Sequence, residues 1–221
     1  VKTDSVVIYG TGRLSSLSWY CFTHDSDYRV EAFVVDNDYQ GPEIHEGLPV
    51  IKFSQLPELY PPSQIDLHIP LGYQAINGLR RERFEQARAL GYRFASYVSS
   101  RANVSSDARL GENCLVYENA IVEQGAVIGD NVVIRCGAHV ATGCVLGSHS
   151  FIASQATLCI DAEVGEQAYV GVAAVIRDGV RVGERSFAGA GAGILYNTQP
   201  DSVYIGNPAR RVNNTAAQVT S

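Results

Sequence analysis

Methionine is absent from the 221 residues and tryptophan occurs once. With Val1 at the head, the initiating residue is expected to lie outside this sequence. No apolar run approaches the roughly 20 residues needed to cross a bilayer, so no membrane span is expected. Nor does a basic stretch precede an apolar one near the start, as a secretory leader would require. Basic residues are the minority, 17 against 23 acidic ones, for a formal charge of −6. That balance argues against nucleic acid or an anionic membrane as partner, while leaving room for a local basic pocket around a phosphorylated ligand. The five cysteines form no Cys-x-x-Cys pair, which removes the usual basis for zinc or redox chemistry. Reduced, packed thiols of a cytoplasmic protein are expected instead.

What is present is a repeat. Every sixth residue from Val104 to Ile194 is aliphatic or alanine, through Leu110, Val116, Val122, Ile128, Ile134, Val140, Leu146, Ile152, Leu158, Val164, Val170, Ile176, Val182 and Ala188. A second row four residues later is nearly all small, as at Ala108, Cys114, Ala120, Ala126, Ala138, Cys144, Ala156 and Ala162. A period of six fits neither a helix nor a simple alternating strand. It fits a short strand and a corner, repeated, and is a signature of the parallel β-helix. Glycine follows the aliphatic residue at Gly111, Gly129, Gly147, Gly165 and Gly183, 18 residues apart. Eighteen residues therefore make one coil and three hexads its three faces. Stacked at roughly 4.8 Å, about five coils give a prism roughly 24 Å tall. The glycines, and the Asn or similar residue two places on, suggest corners built with left-handed backbone.

Before Val104 the phase is absent. Ser5–Tyr9 reads as a buried strand entering the turn at Gly10, Thr11 to Phe22 as a helix, and Arg29 to Val35 as a second strand. Gly47–Ile51 is a short extended piece, Leu67–Leu71 a third strand, Asn77 to Leu90 a helix and Tyr92 to Val98 a fourth strand. Alternating strands and helices predict a small parallel α/β domain that binds ligands at the carboxyl ends of its strands. Gly10-Thr-Gly12-Arg13 matches only the opening of a dinucleotide fingerprint, with Ser15 where the third glycine belongs. Such a turn can still hold a phosphate at a helix N-terminus, and Asp36 could accept a ribose or base hydrogen bond. The alternative is a tight turn and a solvated carboxylate.

The two parts in this order resemble the bacterial nucleotide-sugar acyltransferases, which include aminosugar N-acetyltransferases and sialic-acid O-acetyltransferase-like proteins. The resemblance rests on Ile8-Tyr-Gly-Thr-Gly12, Val34-Val-Asp-Asn37, Gly47-Leu-Pro-Val50, Tyr97-Val-Ser-Ser-Arg-Ala-Asn-Val104, the hexads, and Val203-Tyr-Ile-Gly-Asn-Pro-Ala-Arg210. It implies a Rossmann-like domain over residues 1–100, a left-handed β-helix over 101–198 and a loop and tail over 199–221. It further implies a homotrimer taking acetyl-CoA or another acyl-CoA and a nucleotide-linked sugar, in surface polysaccharide biosynthesis. By position, CoA would run beside Gly171, Val172, Ala190 and Gly191. The Asn207-Pro208-Ala209-Arg210 loop would cover its end, with Arg210 or Arg211 near a phosphate. The nucleotide would sit at Gly10, Gly12 and Asp36.

One departure matters. The family's proton-accepting histidine and its partner fall at Thr142 and Gly143, and a further polar position falls at Gln155; none of these can act as a base. General-base help is worth about 10²- to 10⁴-fold. Two candidates remain. His139 should point outward between Ile121 and Thr157, while His149 fills the corner slot held elsewhere by Asn113, Asn131, Gln167 and Arg185. Asp161 or Asp178 could orient an imidazole from a neighbouring subunit. The expected activity is acyl transfer to a sugar amine or hydroxyl; the alternative is a non-catalytic binding or assembly protein. A metal-dependent hexapeptide enzyme needs more histidines than these two in the repeat, so no metal is expected.

Overall fold

A computed structural model describes residues 4–220. The first part is a six-stranded sheet with helices on its faces. In chain order it comprises β1 (Ser5–Tyr9), α1 (Arg13–His24), β2 (Arg29–Val35), β3 (Ile44–His45), β4 (Leu48–Lys52), a 3₁₀ turn with α2 (Leu56–Leu59), β5 (Asp66–His68), α3 (Gly78–Ala89) and β6 (Arg93–Phe94). The spatial order is β3-β4-β2-β1-β5-β6, parallel except for the β3–β4 hairpin. The chain leaves β1 toward one edge and returns to β5 on its other side. Such a reversal of strand order opens a crevice at the carboxyl ends of the two central strands.

Alternation along β1 splits the core. Val6 and Ile8 point with α1 toward the second part of the chain, and Val7 and Tyr9 point toward α3. α1 begins two residues later than the sequence suggests, because Gly10 to Gly12 form the turn. Gly10 has φ +84°, and a Cβ there would lie 2.9 Å from the Ser15 hydroxyl.

The second part is a three-sided column of parallel two-residue strands, each pairing with the strand 18 residues away. One face runs from Tyr97–Val98 through Leu115–Val116, Val133–Ile134, Phe151–Ile152 and Tyr169–Val170 to Phe187–Ala188. A second runs from Asn103–Val104 through His139–Val140 to Gly193–Ile194, and a third from Arg109–Leu110 to Arg181–Val182. The aliphatic and small rows fill the interior, with Val140, Ile152, Ala138 and Cys144 fully buried. All five cysteines are free. No helix among the described residues is long and apolar enough to cross a membrane.

Three expectations need correcting. The repeat starts one hexad early, since Tyr97–Val98 is the first rung of the column and only Arg93–Phe94 joins the α/β sheet. Residues after 199 are more than loop: Ser202–Ile205 and Arg210–Thr215 form a hairpin on the first face, followed by α4 (Ala216–Val219). Finally, the glycines spaced by 18 are not the left-handed residues. They are needed for close approach, since a Cβ on Gly147 would lie 2.6 Å from the Glu166 backbone nitrogen, and one on Gly165 equally near that of Glu184. At this corner the left-handed residues are Asn113, Asn131, His149, Gln167 and Arg185, with φ between 50° and 64°.

The first face is covered by the α/β sheet. Phe22, Phe33 and Val6 pack with Leu115, Tyr117, Val133 and Phe151. Beside this apolar seam, α3 seats Arg80 on a column corner. Its guanidinium is fully buried and donates to the carbonyls of His149 at 2.7 Å and Asn131 at 3.1 Å and to the Asn77 side chain at 2.9 Å. Burial pulls its pKa down to about 9. The corner residues form a ladder: Asn113 Nδ2 donates to Asn131 Oδ1 at 2.7 Å, and Asn131 Nδ2 to His149 Nδ1 at 2.8 Å.

His149 is therefore a buried joint residue. Its Nδ1 accepts, so its proton sits on Nε2, facing Glu85 at 3.7 Å. Burial first, then Arg80 and Arg81, pulls its pKa down to about 4, with Asp130 opposing and Arg88 adding to the effect. The unfolded chain, with an ordinary imidazole near 6.5, binds the proton more readily. Stability is thus fully present above about pH 6.5 and falls as pH drops toward 4. The buried His68, also pulled down to about 4 by burial, acts in the same window. His149→Asn continues the ladder without a titrating group. It is expected to remove up to about 3 kcal/mol of the acid-side loss, checked by denaturant unfolding between pH 4 and 7.

Candidate active site

His139 begins its strand on the second face and pairs in register with Ile121 on the coil before and Thr157 on the coil after. Strand alternation puts Val140 in the core and His139 outside, with 36% of its side chain exposed. Its Nε2 meets Glu123 Oε1 at 2.7 Å. Glu123 directly follows Ile121–Val122, one coil earlier, and reaches diagonally across the face. Its other oxygen, Oε2, accepts from the backbone N–H of Thr142 at 2.9 Å and from its hydroxyl at 2.8 Å. These bonds, His139's first and then those of Thr142, hold the Glu123 carboxyl below the usual carboxylate range. An ionised carboxylate only accepts, so Nε2 of His139 carries a proton, and in the neutral ring Nδ1 presents the lone pair. A small cleft of about 240 Å³ opens between Asn103, Ser105, Glu123 and Thr142. The arrangement can take a proton from a nucleophile on this face.

His149 does not join it. It lies at a different corner, under α3, and its neutral ring is used in the joint. Nor are Asp161 and Asp178 needed as partners, because Glu123 comes from the same chain. Asp161 instead fills the space over Gly143, which any side chain at 143 would contest.

Higher on the column, the chain places Gly171, Val172, Ala190 and Gly191 on adjoining rungs of the corner between the first and second faces, with Gly191 N–H donating to Val172 C=O at 2.8 Å. Val172, Ala190 and Gly191 are exposed. Gly171 is buried, and a Cβ on it would lie 2.6 Å from the Gly189 carbonyl carbon. The turn with Asn207 and Pro208 folds over the top rung, where Ala209 N–H donates to Gly193 C=O at 2.8 Å. A Cβ on Gly193 would meet the Asn207 side-chain oxygen at 2.5 Å. Arg210 and Arg211 start the outer strand of the hairpin and are exposed. From Gly193 to His139 is three rungs, roughly 14 Å.

A further cavity, about 460 Å³, lies at the carboxyl ends of β1 and β5. Gly12, Arg13 and Ser15 form one wall, and Leu71, Tyr73, Gln74 and Thr220 another. Gly12 caps α1, whose first turn has no acidic residue and carries Arg13. Partial positive charge therefore faces this space. Gly10 shapes the turn behind it. Asp36 is already engaged, accepting from Tyr9 O–H at 2.6 Å and paired with Arg83 Nε at 2.7 Å. It is not among the lining residues. Among the described residues no group of three or more His, Cys, Asp or Glu is placed to hold a metal ion.

Residues 125–159 match the family model "Bacterial transferase hexapeptide (six repeats)". The acetyltransferase domain of PglB from Neisseria gonorrhoeae, solved in complex with acetyl coenzyme A, superimposes with a TM-score of 0.85. It is 27% identical over 96% of this chain and 100% of that one. PerB from Caulobacter crescentus, solved with CoA and GDP-perosamine, is 27% identical over 95% and 97%, with a TM-score of 0.85. The chain carries hexapeptide repeats and shares the fold of these acetyltransferase structures. WeeI from Acinetobacter baumannii shares the fold, at 20% identity and a TM-score of 0.80. No curated protein matches in sequence.

In this hexapeptide-repeat chain, sequence reasoning missed Glu123 and Arg13. Glu123 lies 16 residues before His139, so the pair is visible only once an 18-residue coil is combined with a diagonal reach across it. Arg13 is an ordinary surface arginine until Gly12 becomes the cap of α1. Thr142 supplies two of the bonds that lower the Glu123 pKa. Thr142→Val removes the hydroxyl bond and keeps the backbone one, so it is expected to raise that pKa part of the way toward the ordinary range while leaving the fold intact, read by carboxyl carbon NMR titration.

Proposed function

We propose that this chain transfers an acyl group, in the first instance acetyl, from CoA to an amino or hydroxyl group of a nucleotide-linked sugar. The observation that carries the proposal is the Glu123–His139 pair, held by Thr142 on an open face of the column. The PglB and PerB structures, with their acetyl-CoA, CoA and GDP-perosamine, support the choice of substrates. On this reading residues 1–100 form a Rossmann-like nucleotide domain, 101–198 a left-handed β-helix, and 199–221 the closing segment. The nucleotide enters the cavity beside Gly12 and Arg13. Acyl-CoA passes under the Asn207 turn, with Val172, Ala190 and Gly191 along its flank.

The chemistry balances simply. The sugar nitrogen or oxygen bonds to the acyl carbon, the carbon–sulfur bond breaks, and sulfur leaves as thiolate. The nucleophile's proton goes to His139 Nδ1, and Glu123 stabilises the imidazolium that forms. Thr142 at the position of the family's histidine is then not a loss of the base but its relocation by three residues, from the corner to the strand that enters it. Exposed Ile121, Val145, Ile160, Val175 and Leu195 lie along the second face, the adjoining third face and the turns that leave the second, and suit contact with further copies of the chain. A trimer, as the resemblance implies, would place that contact beside His139. The free thiols suit a reducing, cytoplasmic setting.

The rival reading, a binding or assembly protein without turnover, draws on Thr142 and Gly143 alone. Acetyl-CoA with a panel of nucleotide amino sugars, followed by thiol release, separates the two; saturable CoA binding with no turnover on any acceptor would favour the rival. His139→Ala is expected to lower kcat/KM at least tenfold, about 1.4 kcal/mol, without unfolding the column. Unchanged turnover in that variant would remove His139 from the mechanism. Glu123→Gln, which keeps the shape but loses the charge, is expected to fall between wild type and His139→Ala in the same assay.

A further inference from the structure

Ala75, Ile76 and Asn77, immediately before α3, have φ of 50°, 47° and 65°. Three consecutive non-glycine residues in the left-handed region are strained, the β-branched Ile76 most of all. A turn of this kind persists only where its surroundings hold it. Two of its amides are held by one residue from the far end of the chain. Ala75 N–H donates to the Thr220 carbonyl at 3.1 Å, and Ile76 N–H donates to the Thr220 hydroxyl at 2.7 Å. That hydroxyl in turn donates to Ala216 C=O at 2.9 Å, and both Thr220 and Ala216 are buried.

The turn has a place in the binding architecture. The residues just before it, Tyr73 and Gln74, line the cavity opposite Gly12 and Arg13, and Val219 and Thr220 complete that wall. Tyr73 also rests against Phe151 and Tyr169 of the column, with centroids 5.8 and 4.7 Å away. The wall is thus assembled from two remote segments, the β5 loop and the C-terminal segment, with the column face packed behind Tyr73. Two of the turn's three N–H groups have Thr220 as their acceptor, and the third, that of Asn77, donates to Tyr73 C=O at 3.1 Å.

We propose that Ala216–Thr220 is a strap that shapes the nucleotide-sugar site, with Thr220 the positioning residue. It holds the left-handed turn, and the turn presents Tyr73 and Gln74 to the ligand. This rests on the reading above that the cavity takes the nucleotide. Thr220 touches neither the acyl-CoA face nor His139, so its effect falls on one substrate only.

The test compares Thr220→Val, which keeps the branched shape but loses the hydroxyl, with Thr220→Ser, which keeps the hydroxyl. UDP, GDP, dTDP and acetyl-CoA are titrated into the full chain by calorimetry. Wild type is expected to bind at least one nucleoside diphosphate. Thr220→Val should weaken that binding at least tenfold and change acetyl-CoA affinity less than twofold, while Thr220→Ser stays near wild type. In turnover, KM for the sugar nucleotide should rise with kcat little changed. Equal nucleotide affinity in wild type and Thr220→Val overturns the strap. So does a parallel loss of acetyl-CoA binding, which marks general destabilisation. If wild type itself binds none of the three diphosphates, the nucleotide reading of the cavity fails first, and the strap's role falls with it.

Discussion

Hydrogen bonding between successive coils, 18 residues apart, is the constraint on which the rest of the molecule depends. Each rung's amides pair with the rung before and the rung after, so no residue can slip register without breaking the ladder on both sides. The consequence is a fixed inward or outward direction at every position. Val140 must be core, so His139 must be outside, and Ile121 and Thr157 must be its neighbours. Corners inherit the same rigidity. Asp161 stands over Gly143, Gln167 follows His149, and Ala190 follows Val172, because the column has no other way to stack them.

That rigidity is what lets a dyad be built from two coils. Glu123 is anchored by three bonds on its two oxygens, two of them from Thr142 one coil later. The backbone donor is as fixed as the ladder itself, and the hydroxyl adds a second hold. The imidazole then has one nitrogen held by Glu123, which leaves the other for a second partner. On the proposed function, a proton acceptor assembled in this way needs little reorganisation when a substrate arrives. The α/β part is coupled to the column more elaborately, through an apolar seam, a buried arginine bound to carbonyls, and a ladder of corner amides ending in His149. Pairing a buried cation with backbone carbonyls is costly unless every donor is well placed. It fixes the angle at which α3, and so the preceding turn and its cavity wall, meets the column.

Much of the fold was legible from the residues. The hexads predicted the column, its 18-residue coil and the residues that fill it, because burial at period six leaves a direct record in composition. The strands β1 and β2 were legible for a different reason, as short apolar runs that end in turn residues. Boundaries were less so. Tyr97–Val98 continues the hexad phase by one step, but the run of apolar residues before it disguised the break between the two parts. The closing hairpin and α4 carry no periodic signal at all. The spaced glycines were noticed, but their reason was not, since sequence alone does not say whether a glycine serves φ or proximity.

What the sequence by itself determined is the column and the outward position of His139, because a repeat of six with alternating strands leaves each side chain a single direction. Only the tertiary structure decided how the chemistry-bearing residues are used. Glu123 becomes His139's partner because a carboxylate can span a rung diagonally, a distance no linear spacing announces. His149 becomes a neutral joint residue because α3 covers its corner and excludes water. Asp36 is taken by Tyr9 and Arg83, and Thr220 reaches a turn nearly 150 residues away in the chain. Such pairings depend on which surfaces meet, and that is settled by packing between segments rather than by the pattern within any one of them.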